Sequence, residues 1–213
     1  MENITNAIIG KDWAKAEREL THQLSESPNN AQLHYYLAVV LANTGRYDES
    51  VKRLEFSLSA LPNETFEILA RVYWKIGDHE AALKTTESLI KETPGNPAFW
   101  QLRGDIAQSG GRTQEALTAY MRSIALDPDN ARFHYGLGKI YYNDKQLYHE
   151  AVAEYEQAIH LDPGFFEAHM SLGEIFEEKG LYKEAVARYS QARSIDPRHP
   201  GAAYGLALAC EKV

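Results

Sequence analysis

Cysteine is almost missing from this chain. The single residue, Cys210, can close no internal disulfide and stands in no C-x-x-C spacing, which excludes a disulfide framework and the usual thiolate zinc or redox sites. Long apolar runs are missing too. The first twenty residues carry an acid at Glu2, no basic n-region and only the short apolar run from Ala7 to Ile9. Neither a secretory signal nor a membrane insertion is therefore expected, and the expected location is cytoplasmic. Positive charge is in deficit, with a formal net charge of −8. This argues against nonspecific nucleic-acid or anionic-membrane binding, because both rely on a basic surface. No H-E-x-x-H spacing and no nucleophile with a matching base can be found, so no enzyme activity, cofactor or metal is expected. What remains, 44% apolar and 24% charged residues over 213 positions, is enough for a soluble chain with a sizeable core.

Repetition fills the space left by those absences. The stretch "YKEAVARYSQARSIDP" at 182–197 is preceded by "YHEAVAEYEQAIHLDP" at 148–163 and "TQEALTAYMRSIALDP" at 113–128. Pro28, Pro62, Pro94, Pro128, Pro163 and Pro197 follow one another at 34, 32, 34, 35 and 34 residues. Twelve before each proline stands a small residue: Ala16, Ser50, Ala82, Ala116, Ala151, Ala185. Eight before it stand Leu20, Leu54, Thr86, Tyr120, Tyr155 and Tyr189, with Thr86 the exception among large knobs. Upstream, Leu37-Ala38, Leu69-Ala70, Leu137-Gly138 and Leu172-Gly173 pair a large with a small residue, and Leu41, Tyr73, Tyr141 or Phe176 follows each Leu by four. That spacing makes an apolar stripe on one helix face. Gly45, Gly77, Gly111 and Gly180 are placed to end these first helices in a left-handed conformation, and the prolines to stop the second ones. Each unit reads as helix, turn, helix, turn.

This pattern resembles the tetratricopeptide repeat (TPR), a helical hairpin of about 34 residues. In the unit 166–199 the signature places hold His169, Leu172-Gly173, Phe176, Gly180, Tyr182, Ala185, Tyr189, Ala192 and Pro197. The resemblance covers nearly the whole chain: a divergent unit at 1–30, units at 31–64, 63–96, 97–130, 131–165 and 166–199, and a terminal helix at 200–213. It implies one all-α domain, a right-handed superhelical α-solenoid of about six units, because a lone hairpin cannot bury its apolar face and copies stack to do so. Two departures stand out. The unit 131–165 has an extra residue between Gly138 and Gln146, which replaces the turn glycine, and predicts a bulge or longer turn. The short interval before Pro94 predicts a tightened turn near Pro62, with Asn63 capping the next helix.

The register also removes tempting chemistry. Gly136-x-Gly138 lies in mid-helix and not between a strand and a helix, as a phosphate loop requires. His34, His134 and His169 each stand fourth in their own unit, where Trp100 stands in another, so they read as packing rings and not as a metal trio.

In TPR proteins the second, fifth, ninth, twelfth and thirteenth residues of each unit face a concave groove, and the resemblance carries that role to this chain. Those places hold Gln32, Tyr35, Val39, Ala42 and Asn43, then Glu64, Glu67, Arg71, Trp74 and Lys75. They continue with Ala98, Gln101, Asp105, Gln108 and Ser109, then Arg132, Tyr135, Lys139, Tyr142 and Asn143, and end with Glu167, Met170, Glu174, Glu177 and Glu178. The groove is therefore expected to be aromatic and basic in the middle and acidic towards the C-terminal end. Arg71, Trp74, Lys75, Arg132, Tyr135, Lys139, Tyr142 and Asn143 form the expected partner-binding set, suited to a protein or peptide with acidic or carboxylate groups. The carboxylate clamp by which some TPR proteins grip heat-shock protein tails is not reproduced in any register; the one opening at residue 31 offers Tyr35, Val39, Ile68, Ala98 and Leu102 in its place. A noncatalytic scaffold or adaptor is the leading expectation. The alternatives are a homo-oligomer joined through the terminal helix, with Tyr204, Leu206 and Leu208 as its apolar residues, or a regulatory subunit of a separate enzyme.

Overall fold

The computed structural model describes residues 2–143 and 147–213. Among these there are thirteen α-helices and no strand: α1 (Glu2–Ile9), α2 (Trp13–Glu26), α3 (Ala31–Asn43), α4 (Tyr47–Ser57), α5 (Pro62–Lys75), α6 (His79–Glu92), α7 (Pro97–Ser109), α8 (Thr113–Leu126), α9 (Ala131–Asn143), α10 (Tyr148–Leu161), α11 (Phe166–Glu178), α12 (Tyr182–Ile195) and α13 (Pro200–Lys212). The helices fall into two compact units, α1–α7 ending at Gly110 and α8–α13 beginning at Gly111. Within each unit every helix packs on its neighbours in the chain.

Local chemistry explains the punctuation. Gly45, Gly77, Gly111 and Gly180 have φ of +81°, +83°, +73° and +71°. At Gly180 this conformation lets the Leu181 N–H turn back to the Phe176 carbonyl at 2.8 Å, so the end of α11 is closed by its own backbone. Asn30 and Asn96 cap α3 and α7, their side chains accepting backbone N–H groups of the first turn.

Pro62 departs from the expectation. The helix α4 ends at Ser57, whereas the other second helices end two residues before their proline. Pro62 is instead the first residue of α5, where a missing N–H costs nothing. Asn63 therefore lies inside the helix and does not cap it; Leu61 occupies the capping place, without a side-chain cap bond. The helix α9 runs unbroken through Asn143. The extra residue and Gln146 belong to the stretch beyond it, where 144–146 lie outside the described residues.

The first unit buries Ile4, Leu20, Leu24, Leu33, Leu37 and Leu41 in one cluster and Ala38, Leu54, Leu69 and Val72 in another. Thr86, the exception among the knobs, is fully buried, and the Arg103 guanidinium reaches it at 3.3 Å while donating to the Leu83 carbonyl at 3.0 Å. In the second unit the knobs are tyrosines seated on glycines. A Cβ built on Gly173 would lie 2.5 Å from the Tyr189 ring, on Gly138 2.7 Å from Tyr155, and on Gly136 2.1 Å from Tyr120. Tyr189 also faces Gly205 of α13, so a glycine opposes the ring from each of two helices.

Candidate functional site

Several of the positions of α3 and α5 expected to face a groove meet in the first unit. Val39 and Ala42 from α3, Ile68 and Val72 from α5, and Tyr47 at the start of α4 form an apolar basin of about 180 Å³, rimmed by Asn43, Arg71 and Lys75. Arg71 is steered by Glu67, one helical turn earlier, with N–O distances of 3.0 and 3.3 Å. Trp74, expected as an exposed ring, donates its indole N–H to the Ser109 hydroxyl at 2.6 Å and is partly buried. Lys75 is exposed and forms no ion pair among the described residues.

In the second unit the expected residues of α9 divide in the same way. Arg132 and Lys139 are exposed, as is Asn143. Tyr135 is half-buried, with ring centroids 5.5 Å from Tyr155 and 5.1 Å from Phe165. Burial, more than any neighbouring charge, raises its phenol pKa. Tyr142 donates to one oxygen of Glu178 at 2.8 Å and Tyr148 to the other at 2.6 Å, while the two rings stack at 5.7 Å. Burial and that hydrogen bond raise the Tyr142 phenol pKa far above its usual range, which keeps it a donor.

Beside this pair lies a second cavity, of about 410 Å³, lined by Tyr142, Glu174, Glu177, Glu178, Tyr182, Leu208 and Lys212. Glu177 accepts the Tyr189 hydroxyl at 2.9 Å. Glu174 presents its outer surface to solvent, yet the cavity wall and the charges of Glu178 and Glu177 raise its carboxyl pKa. Three glutamates of α11, Glu174, Glu177 and Glu178, thus share this one cavity. Leu208 and Lys212 fall outside the expected groove-facing set, which treats α13 as a closing helix and not as a further first helix. The signal was there: Leu206-Ala207 keeps the register of Leu172-Gly173.

The three histidines share a task. Nε2 of His34, His134 and His169 lies 2.8, 3.0 and 3.2 Å from the carbonyl of the proline six residues earlier, and Trp100 donates to Pro94 in the same way at 3.1 Å. A carbonyl only accepts, so each ring donates there and ties the first helix to the preceding turn. Among the described residues no group of three His, Cys, Asp or Glu side chains could hold a metal.

Stacked helical hairpins with small-on-large seams and variable side chains on one face define a class of repeat proteins that bind other proteins. Models of the tetratricopeptide repeat match residues 7–65, 104–145 and 144–200. The chain belongs to the TPR family, whose repeats serve in general as noncatalytic scaffolds. Human protein O-mannosyl-transferase TMTC1 is 25% identical over 180 residues, which are 81% of this chain and 19% of that protein. Photosystem I assembly protein Ycf3 of Prochlorococcus marinus (strain NATL1A) is 28% identical over 104 residues, 43% of this chain and 60% of that one. The chain spans less than two thirds of the length of either relative. The crystal structure of MamA matches with a TM-score of 0.66 at 27% identity, over 76% of this chain and 95% of that one. No helix among the described residues is long and apolar enough to cross a membrane.

Proposed function

We propose that this chain is a noncatalytic scaffold that holds an extended peptide or a partner helix against the concave positions of its first helices. The basin between α3 and α5 carries the reading: five apolar side chains floor it, while Arg71, Lys75 and Asn43 stand at its rim. An apolar side chain fits the floor, and an acidic side chain or terminal carboxylate beside it meets the two cations. On α9, Arg132 and Lys139 offer the same chemistry, and Asn143 adds an exposed amide. Trp74, Tyr135 and Tyr142, already engaged inside the fold, act as rigid walls and not as free anchors. A role in bringing protein subunits together also agrees with the name of the assembly-protein relative.

The test is capture of partners from lysate of the source cells by the native chain and by a variant carrying Arg71→Glu, Lys75→Glu, Arg132→Glu and Lys139→Glu, with unchanged helical circular dichroism as the control. We expect a partner held by the native chain and lost by the variant. A full set of partners retained by the folded variant overturns the basic rim as the binding surface.

A further inference from the structure

The furrow between α3 and α5 is charged unevenly along its length. The two helices touch and run in the same direction: Tyr35 stands near Glu64 and Glu67 at one end, and Asn43 lines the apolar basin with Lys75 at the other. Burial first, then the charges of Glu64 and Glu67, raise the Tyr35 phenol pKa, so the phenol stays neutral beside them. Glu64, Glu67, Arg71 and Lys75 follow one another along α5. Glu67 and Arg71 neutralise each other at 3.0 Å, whereas neither Glu64 nor Lys75 enters an ion pair among the described residues. Both are exposed. The row has no net charge, yet an unpaired anion stands at one end and an unpaired cation at the other.

Helix geometry sets the distances. Glu64 and Lys75 are about three helical turns apart and share one line along α5, about 16 Å long. Measured from midway between Ile68 and Val72, which floor the basin, Lys75 lies about 7.5 Å one way and Glu64 about 9 Å the other. The basin, about 180 Å³, falls short of the roughly 300 Å³ from which pockets take a small molecule whole, and it holds one aliphatic side chain. In an extended segment alternate side chains share a face, about 7 Å apart. The residues two positions before and after an aliphatic residue in the basin therefore reach the two unpaired charges, the longer side chain of lysine or arginine covering the greater distance. Glu64 and Lys75 also suit the dipole of their own helix, one in its first turn and one in its last. That role concerns stability and leaves both charges open to a ligand.

We propose that this furrow selects an extended segment of a partner protein in which an aliphatic residue stands between a lysine or arginine two positions to one side and an aspartate or glutamate two positions to the other. The inference rests on the scaffold reading above and gives its ligand a charge pattern. The aliphatic side chain fills the basin, the acid meets Lys75, and the cation meets Glu64 beside the neutral phenol of Tyr35. A uniformly acidic segment is turned away at Glu64 and a uniformly basic one at Lys75.

The probes are peptides blocked at both ends: acetyl-TKTLTET-amide and its forms with lysine replaced by glutamate, glutamate by lysine, or leucine by serine. They are titrated into the full chain while the methyl signals of Val39, Ile68 and Val72 are followed by nuclear magnetic resonance. The peptide carrying both charges should shift those signals, and either same-sign peptide should bind about fivefold more weakly, the scale of one exposed ion pair. Glu64→Lys should reverse the preference at its end and favour the peptide with two glutamates, while Lys75→Glu should favour the one with two lysines. Circular dichroism and urea unfolding establish that both variants are folded. Lower stability of the variants with unchanged peptide preference assigns both charges to the helix dipole and overturns the proposal. Equal binding of the three leucine peptides, lost in the serine form, also overturns it but leaves the scaffold reading standing. No shift with any peptide overturns the proposal and, with it, the basin as the peptide site.

Discussion

At the scale of single residues, the fourth position of the unit shows how one ring serves several surroundings. All three histidines donate to a proline carbonyl through Nε2, but the other nitrogen differs: Nδ1 of His34 lies 3.2 Å from Arg53, that of His134 2.7 Å from Glu154, and that of His169 is buried without a partner. Burial, and secondarily the Arg188 charge, hold the His169 pKa below its ordinary 6.5. The unfolded chain therefore takes up this proton first as pH falls. The contribution to stability is complete above about 6.5 and is lost progressively below it, through the lowered folded value. Replacing His169 with Trp, the residue that makes this bond at Trp100, keeps the donor and removes the orphaned nitrogen. Denaturant titrations between pH 7.5 and about 5 should show a shallower loss of stability for His169→Trp than for the native chain. Parallel curves would refute this account.

At the scale of helices, the seams are set by pairs, not by hydrophobicity alone. Tyr189 is 2% exposed, bonded to Glu177, and faced by Gly173 and Gly205. It has nowhere to retreat from a methyl group. Gly173→Ala should destabilise the chain by about 1–3 kcal/mol despite a helix-propensity gain of up to about 1 kcal/mol. Adding Tyr189→Leu, the pairing seen at Ala38 and Leu54, should recover part of that loss, and a double-mutant cycle measured by urea unfolding gives the coupling. Additive effects would mean that the ring and glycine do not constrain each other. The alternation of Ala with Leu or Thr and of Gly with Tyr was legible in the sequence. That the knob sits over the eighth residue of the first helix, and not only beside the small residue of its own helix, required the packing.

At the scale of the whole molecule, a net charge of −8 surrounds a basic rim of a few residues. The proposed recognition of an acidic partner there would be short-ranged and would work against the overall charge, because at physiological salt the screening length is about 8 Å. Raising salt from about 0.05 to 0.5 M in the capture experiment should weaken retention of any partner that depends on Arg71 and Lys75. Retention indifferent to salt would assign recognition to the apolar floor alone.

The sequence alone determined the period, the helices and most of their ends, those around Pro62 excepted, since these depend on proline, glycine and apolar spacing within one turn of the chain. It also determined which side chains are small and which are knobs. Only the tertiary structure decided which groove residues remain available. Trp74, Tyr135 and Tyr142 were expected as exposed contacts, yet Ser109, Phe165 and Glu178, 35, 30 and 36 positions further on, engage them. Tertiary structure also moved Pro62 from the end of one repeat to the start of the next helix. Such outcomes depend on contacts a full repeat apart, where the order of residues sets the register but the packing of neighbouring helices decides which polar group finds a partner and which faces water.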